Sequence, residues 1–362
     1  MRLTPKPGIL EIKPYVPGSS KSDSKARTIK LSSNESAMGA SPKAIAAYTE
    51  EAQRLHRYPD GGATKLREAI GAVYHLNPDR IVCGAGSDEL IALLIQAYAG
   101  QGDEVLYSQY GFLMYPISAL KVGAVPVKAP EKEYRTDVEA LLAAVTERTK
   151  IVFVANPNNP TGSYISRDEL MHLRRHLPED VLLVIDSAYA EFVDKADYTA
   201  GEDIVDFGEN TVMTRTFSKI YGLASLRIGW AYCPASIADI LNRVRGPFNV
   251  SAQAIIAGEA AVQDIDFTAA AKQHNDTWLP WLEKEIQALG LKIFPSVANF
   301  VLVEFPATPE KNAVAANHFL RQQGVVVREM SSYDLPQCLR VTVGKEEENK
   351  AFISALQAFL GQ

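Results

Sequence analysis

From residue 80 onward the chain alternates short, continuous apolar runs with longer segments of helical period. The runs are Arg80–Cys83, Glu104–Tyr107, Ala124–Val127, Lys150–Val154, Val181–Ile185, Thr211–Thr214 and Ile228–Tyr232. A run such as Val181-Leu-Leu-Val-Ile185, with no polar alternation, predicts a strand covered on both faces, as in a parallel sheet. Helix-like segments separate most of the runs, so the pattern predicts an α/β fold whose mostly parallel seven-stranded sheet lies between helices. One of those helices opens with the capping box Ser166-Arg-Asp-Glu169.

The flanks read differently. Residues 1–30 are rich in Pro, Gly, Ser and Lys and predict an arm without a core of its own. Ser41 and Pro42 start a helix reaching Arg54, Tyr58-Pro59-Asp60-Gly61-Gly62 makes a turn, and Ala63–Tyr74 is a second helix. Helical segments fill roughly 234–290. A smaller α+β pattern follows: Ala298–Phe305, a helix near 309–323, Val325–Arg328, Leu339–Val343 and a final helix. The expected division is an arm over 1–30 that joins the small domain, a large domain over 31–260 and a small domain over 261–362.

Composition narrows the function classes. At 362 residues, 47% hydrophobic and 22% charged, the chain is an ordinary globular sequence long enough for two cores. Thirty-seven basic against 43 acidic residues leave a net charge of −6, with no basic block to face a nucleic acid. Cys83, Cys233 and Cys338 lie far apart in apolar runs, which signals neither a disulfide framework nor a zinc site. No apolar run approaches a membrane span and the first residues hold no signal core, so a cytoplasmic protein is expected. His172 and His176, four apart on one helix, lack the glutamate of a zinc protease and read as surface residues.

In open parallel sheets ligands sit beyond the carboxyl ends of the strands, and those positions are polar here. Gly84-Ala85-Gly86-Ser87-Asp88-Glu89 leads into an apolar helix whose free N–H groups suit an anion, although an ordinary capped turn explains the same residues. Asn156-Pro-Asn-Asn159-Pro160-Thr161-Gly162 turns the chain sharply and aims amides at the strand ends. Asp186, with Tyr189 three residues on, is either a helix cap or the partner of a protonated pyridine nitrogen. Thr216-Phe-Ser218-Lys219 followed by Arg227 brings together an amine able to form a Schiff base and the hydroxyls and guanidinium that hold a phosphate. Arg328 and Arg340 stand in apolar strand runs, where a guanidinium is costly unless it meets an anion. They are substrate clamps, or they are structural ion pairs with acids such as Glu329 and Glu304.

Taken together, Asn159-Pro-Thr-Gly162, Asp186-Ser-Ala-Tyr189, Ser218-Lys219 and Arg227 resemble the cofactor-binding set of pyridoxal-phosphate-dependent aminotransferases of fold type I. Tyr15-x-Pro-Gly18, Arg57-Tyr58-Pro59-Asp60, Gly86-Ser-Asp-Glu89 and Leu339-Arg-Val-Thr-Val-Gly344 are similar to motifs of the histidinol-phosphate aminotransferases among them. The resemblance implies that Lys219 anchors pyridoxal 5'-phosphate and moves a proton, that Asp186 pairs with the ring nitrogen, and that Tyr189 and Asn159 hold the ring hydroxyl. It implies that Tyr110 stacks on the ring and that Gly86, Ser87, Thr216, Ser218, Arg227 and a neighbouring subunit's Tyr58 bind the phosphate. Arg340, with Arg328 and Tyr15, would take the carboxylate of glutamate or the phosphate of histidinol phosphate. A homodimer with shared sites follows from the same resemblance.

The expected activity is transamination between histidinol phosphate and 2-oxoglutarate, in histidine biosynthesis. An aromatic or broad-range aminotransferase is the alternative, with a threonine-phosphate-type decarboxylase behind it. A DNA-binding regulator is not expected, because an arm of about thirty residues is too short for a winged helix. One stretch, Asn34-Glu35-Ser36-Ala37-Met38-Gly39, departs from the family's Asn-Glu-Asn-Pro-x-Gly. Losing the Asn-Pro pair is expected to loosen it.

Overall fold

The computed structural model describes residues 3–24 and 27–361. The strands in chain order are β1 (Ile29–Lys30), β2 (Ile81–Gly84), β3 (Glu104–Ser108), β4 (Val125–Ala129), β5 (Thr149–Ala155), β6 (Leu182–Asp186), β7 (Thr211–Thr216) and β8 (Gly229–Tyr232). They continue with β9 (Lys292–Phe294), β10 (Phe300–Glu304), β11 (Val325–Val326), β12 (Arg328–Glu329) and β13 (Cys338–Thr342).

Seven of these form the central sheet, in the order β2-β8-β7-β6-β5-β3-β4. All neighbours run parallel except β8, which is antiparallel to both β2 and β7. The reason lies in the connection. Parallel neighbours need a long crossover, usually helical, whereas residues 217–228 return from β7 to β8 through a loop with one short 3-10 turn, Ala224–Leu226. That loop carries Lys219. The inner strands β3, β6 and β7 are buried at every position, while β4 at the edge is only partly covered. Layers of Leu, Ile, Val and aromatic side chains, with Tyr115, Phe153, Phe217 and Trp230 fully buried, fill the space between sheet and helices.

A second core gathers around the antiparallel sheet β12-β13-β10-β9, covered by helices Ile265–Ala288, Ala313–Gln322 and Glu346–Leu360. The end of the arm belongs with this unit: β1 pairs in parallel with β11, Ile29 opposite Val325. The apolar run at Val325–Arg328 is therefore two strands serving two sheets, split at Val327. The helical block near 234–290 is three helices, Ala235–Val244, Ala252–Gln263 and Ile265–Ala288, so the division expected between residues 260 and 261 falls inside the second of them. The first predicted helix stops at Glu51 and continues as a 3-10 turn to Arg54. No helix among the described residues is long and apolar enough to cross a membrane.

Candidate active site

The ends of the parallel strands open on a cavity of about 200 Å³. Its wall takes Ser87 and Asp88 from beyond β2, Phe112 from beyond β3, Asn159 from beyond β5, Asp186 and Tyr189 from the end of β6, and Thr216, Ser218, Lys219 and Arg227 from the β7–β8 connection. Most of the residues singled out from the sequence thus share one space, because each follows a strand of the same sheet.

At its floor Asp186 is buried and has both carboxylate oxygens occupied. Tyr115 donates its hydroxyl to Oδ2 at 2.8 Å and Thr214 donates to Oδ1 at 3.3 Å. Burial pushes the Asp186 carboxyl up to about 6, against the opposing pull of those two donors and of the Lys219 charge. Its side chain caps no helix; the arrangement is that of a carboxylate waiting for a cation. Neither Tyr115 nor Thr214 was singled out from the sequence. Thr214 lies two residues before Thr216 on β7, on the same face, and that alternation was the available signal; nothing local marks Tyr115.

Lys219 donates to the Ser33 carbonyl at 3.3 Å, and its Nζ lies 5.5 Å from the centre of the Tyr189 ring. The Tyr189 hydroxyl accepts from Asn34 Nδ2 at 2.9 Å, which leaves its own proton free to be donated into the cavity. Asn34 adopts a left-handed backbone (φ 55°), a conformation that Asn tolerates better than most residues. It is pinned from the small domain: Thr342 Oγ1 accepts from its N–H at 2.9 Å, and Asn299 Nδ2 donates to its carbonyl at 3.2 Å. The segment that departs from the family pattern is therefore anchored at Asn34, and it closes as a turn from Ser36 to Gly39. Gly222 (φ 68°), in the Lys219 loop, packs so closely on it that a Cβ there would overlap the Gly39 carbonyl.

The other end of the cavity is a cup for an anion. Helix Ser87–Tyr98 begins at its rim, directly after Gly86 (φ 83°). Arg227 Nη1 donates to Ser218 Oγ at 3.3 Å and Nη2 to Asp88 at 3.0 Å, and Thr216 Oγ1 accepts from the Ser218 N–H at 3.1 Å. The positive φ of Gly86 favours glycine, and a Cβ there would also displace the Arg227 guanidinium. Three hydroxyls, a helix N-terminus and a guanidinium around one space are a donor set for a phosphate dianion. The residues present fit pyridoxal phosphate at both ends, phosphate cup and ring-nitrogen acid.

Arg328 and Arg340 face each other directly across the β12–β13 ladder and so lie on the same face of the small sheet. Both are buried. Arg340 donates from Nη1 to Asn159 Oδ1 and from Nη2 to the Ser32 carbonyl at 3.1 Å, and its Nε has no partner. Arg328 Nη2 donates to the Val16 carbonyl at 2.7 Å. The acids that might have neutralised them are engaged elsewhere, Glu304 by Lys292 and Glu329 by Asn317. Burial lowers the Arg340 pKa, and the Arg328 charge adds to the effect. The ion-pair reading of these two arginines is not what the fold builds.

Besides Gly86, Arg328 and Arg340, three sequence-derived candidates, all tyrosines, lie outside the cavity wall. The Tyr110 ring stacks on Tyr134 at 5.5 Å, and it is Phe112, two residues on, that lines the cavity. Tyr15 is half exposed beside Arg328, whose guanidinium carbon is 5.9 Å from its ring centre. Tyr58 is 82% exposed and stacks on Phe248. His172, as read, is a surface residue, bonded to Glu139.

Residues 26–356 match the family described as aminotransferase class I and II. The chain is 56% identical over 357 residues to a histidinol-phosphate aminotransferase of Paramagnetospirillum magneticum, covering 99% of this chain and 98% of the relative. It is 53% identical over 360 residues to one of Maricaulis maris, covering 99% of each. Among solved structures, histidinol-phosphate aminotransferase from Sinorhizobium meliloti in complex with pyridoxal-5'-phosphate superposes with a TM-score of 0.87 at 27% identity, over 94% of this chain and 92% of that one.

Proposed function

Since the chain belongs to the class I and II aminotransferases, and within them to the histidinol-phosphate aminotransferases, we propose that it moves the amino group of L-histidinol phosphate to 2-oxoglutarate, giving imidazole-acetol phosphate and L-glutamate. Pyridoxal phosphate is the cofactor; when bound, it supplies an aldehyde carbon that takes up an amine and a ring that accepts the electron pair left at the substrate's α-carbon. Lys219 is the amine that holds it, and its Nζ then carries the proton to and from the substrate's α-carbon. Asp186 keeps a proton on the ring nitrogen. Tyr189 and Asn159 donate to the ring oxygen; the Asn159 carbonyl is taken by Arg340, so its NH2 is the end left to donate. Gly86, Ser87, Thr216, Ser218 and Arg227 hold the phosphate, and the loop of Tyr110, through Phe112 in the cavity wall, covers the ring.

The observation that carries the substrate reading is the opposed, buried pair Arg328 and Arg340. An uncompensated buried charge costs several kcal/mol, and two like charges on one face add to that cost. A dianion relieves both at once. The phosphate of histidinol phosphate is such a group and so is 2-oxoglutarate, whereas the aromatic alternative brings a single carboxylate.

Arg340→Gln is expected to lower kcat/KM for L-histidinol phosphate by about 2–5 kcal/mol, roughly 30- to 5,000-fold. The melting temperature of the cofactor-free protein should stay level or rise, because a desolvated cation is removed. Steady-state assays with L-histidinol phosphate and L-phenylalanine side by side decide it. Preference for phenylalanine in the wild type would overturn the substrate assignment.

The exposed Tyr58, three residues after the exposed Leu55, supports a homodimer in which this ring reaches the partner's phosphate cup. Coexpressing two inactive variants, Lys219→Ala and Tyr58→Ala, should then restore about a quarter of the sites, because half of the dimers are mixed and each mixed dimer keeps one intact site. No restored activity would mean that each chain completes its own site.

A further inference from the structure

The chain leaves the edge strand β4 into a turn, Glu131 to Arg135, that has no part in the roles given so far. Lys132 and Arg135 bridge it, and Glu133 and Tyr134 both take left-handed backbone conformations (φ 51° and 62°), costly for side chains of their kind. What the turn gains is the placement of one carboxylate. Glu131 Oε1 accepts from the Tyr110 N–H at 3.2 Å and from Asn158 Nδ2 at 3.3 Å. Its second oxygen is buried without a partner.

Strand order explains the reach. β4 lies outside β3, and β3 lies beside β5, so one acid at the exit of the edge strand ties together the loops that leave its two inner neighbours. Tyr110 belongs to the loop that puts Phe112 in the cavity wall, and Asn158 immediately precedes Asn159, which is also in that wall. Both tethered groups are donors, which an ionised carboxylate answers better than an amide or a hydroxyl. Burial pushes the Glu131 carboxyl up to about 7, so keeping the acid here costs stability. The same turn stacks the Tyr134 ring on Tyr110 and sets it, tilted by 43°, 4.0 Å from Phe294 of β9.

We propose that Glu131 is a positioning residue of the transaminase site: by accepting from Tyr110 and Asn158 it sets the Phe112 and Asn159 loops against the bound cofactor ring. The proposal rests on the transaminase reading only through the cofactor. It is tested with Glu131→Ala and Glu131→Gln beside the wild type, measuring pyridoxal phosphate affinity by titration of the cofactor-free protein, the visible circular dichroism of the loaded protein, and the melting temperature of the cofactor-free protein. Glu131→Ala is expected to weaken cofactor binding about tenfold, by analogy with the outer-shell partners of metal ligands, and to change the visible dichroism. Glu131→Gln should recover most of both, since its amide oxygen still accepts, and neither variant should lower the cofactor-free melting temperature. The proposal is overturned if both variants match the wild type within twofold in affinity with unchanged dichroism, if glutamine is as impaired as alanine, or if the losses follow a lowered cofactor-free melting temperature. A wild-type protein that failed to take up pyridoxal phosphate would instead overturn the transaminase reading.

Discussion

Lys219→Ala should abolish the pyridoxyl label left by borohydride on the native protein and lower kcat for L-histidinol phosphate by roughly 10⁴-fold. Among the described residues of the cavity wall Lys219 carries the only amine, so no other of them can both hold the aldehyde and shuttle the proton. The phosphate cup and Asp186 are untouched by the substitution, and the variant should still copurify with noncovalent cofactor. Loss of activity would then report the amine, not loss of the cofactor. Lys219→Arg should be nearly as inactive, because a guanidinium does not give up its proton in this range. A label persisting on another lysine, or activity within tenfold of the wild type, would remove the central assignment.

Asp186→Asn should reduce kcat about 10²–10³-fold, the usual cost of removing one preorganised electrostatic partner. It should also leave a mark on the cofactor-free protein. The folded carboxyl titrates near 6 instead of 3.8, so between those values the folded state holds more protons than the unfolded one. The stability tied to this group is fully present below about 4 and is lost as pH rises through about 6, a change of about 3 kcal/mol. Asparagine has no such titration. It pays a constant penalty instead, since Tyr115 and Thr214 both offer donors and one of them must face the new NH2 group. The melting temperature of the wild type should therefore fall relative to that of the asparagine variant as pH rises from 4 to 7, both cofactor-free; curves that run parallel would show that Asp186 is not held as a raised, buried acid.

Legibility from sequence followed burial and chain locality. The apolar stretches inside β3, β5 and β6 were readable because a strand covered on both faces must be largely apolar, and no other part of the chain has to agree for that to hold. The cofactor residues were readable for a related reason: polar groups directly after such runs end up on one rim of one sheet. The split of Val325–Arg328 was not, because it depends on a partner distant in the chain, Ile29 opposite Val325.

The same division holds within the site. The residue types after each strand, Lys219 in its hydroxyl-rich loop and guanidiniums set in apolar runs were properties of the chain alone, since local pattern and side-chain chemistry suffice to place them. Tertiary structure alone decided that Arg328 stands opposite Arg340, that Asn34 reaches Tyr189 and Tyr115 reaches Asp186, and that Glu131 joins two loops. Those contacts join segments separated by 12 to 155 positions and are set by strand order and register. Register is a cooperative outcome of packing whole sheets, and no local stretch of sequence carries it.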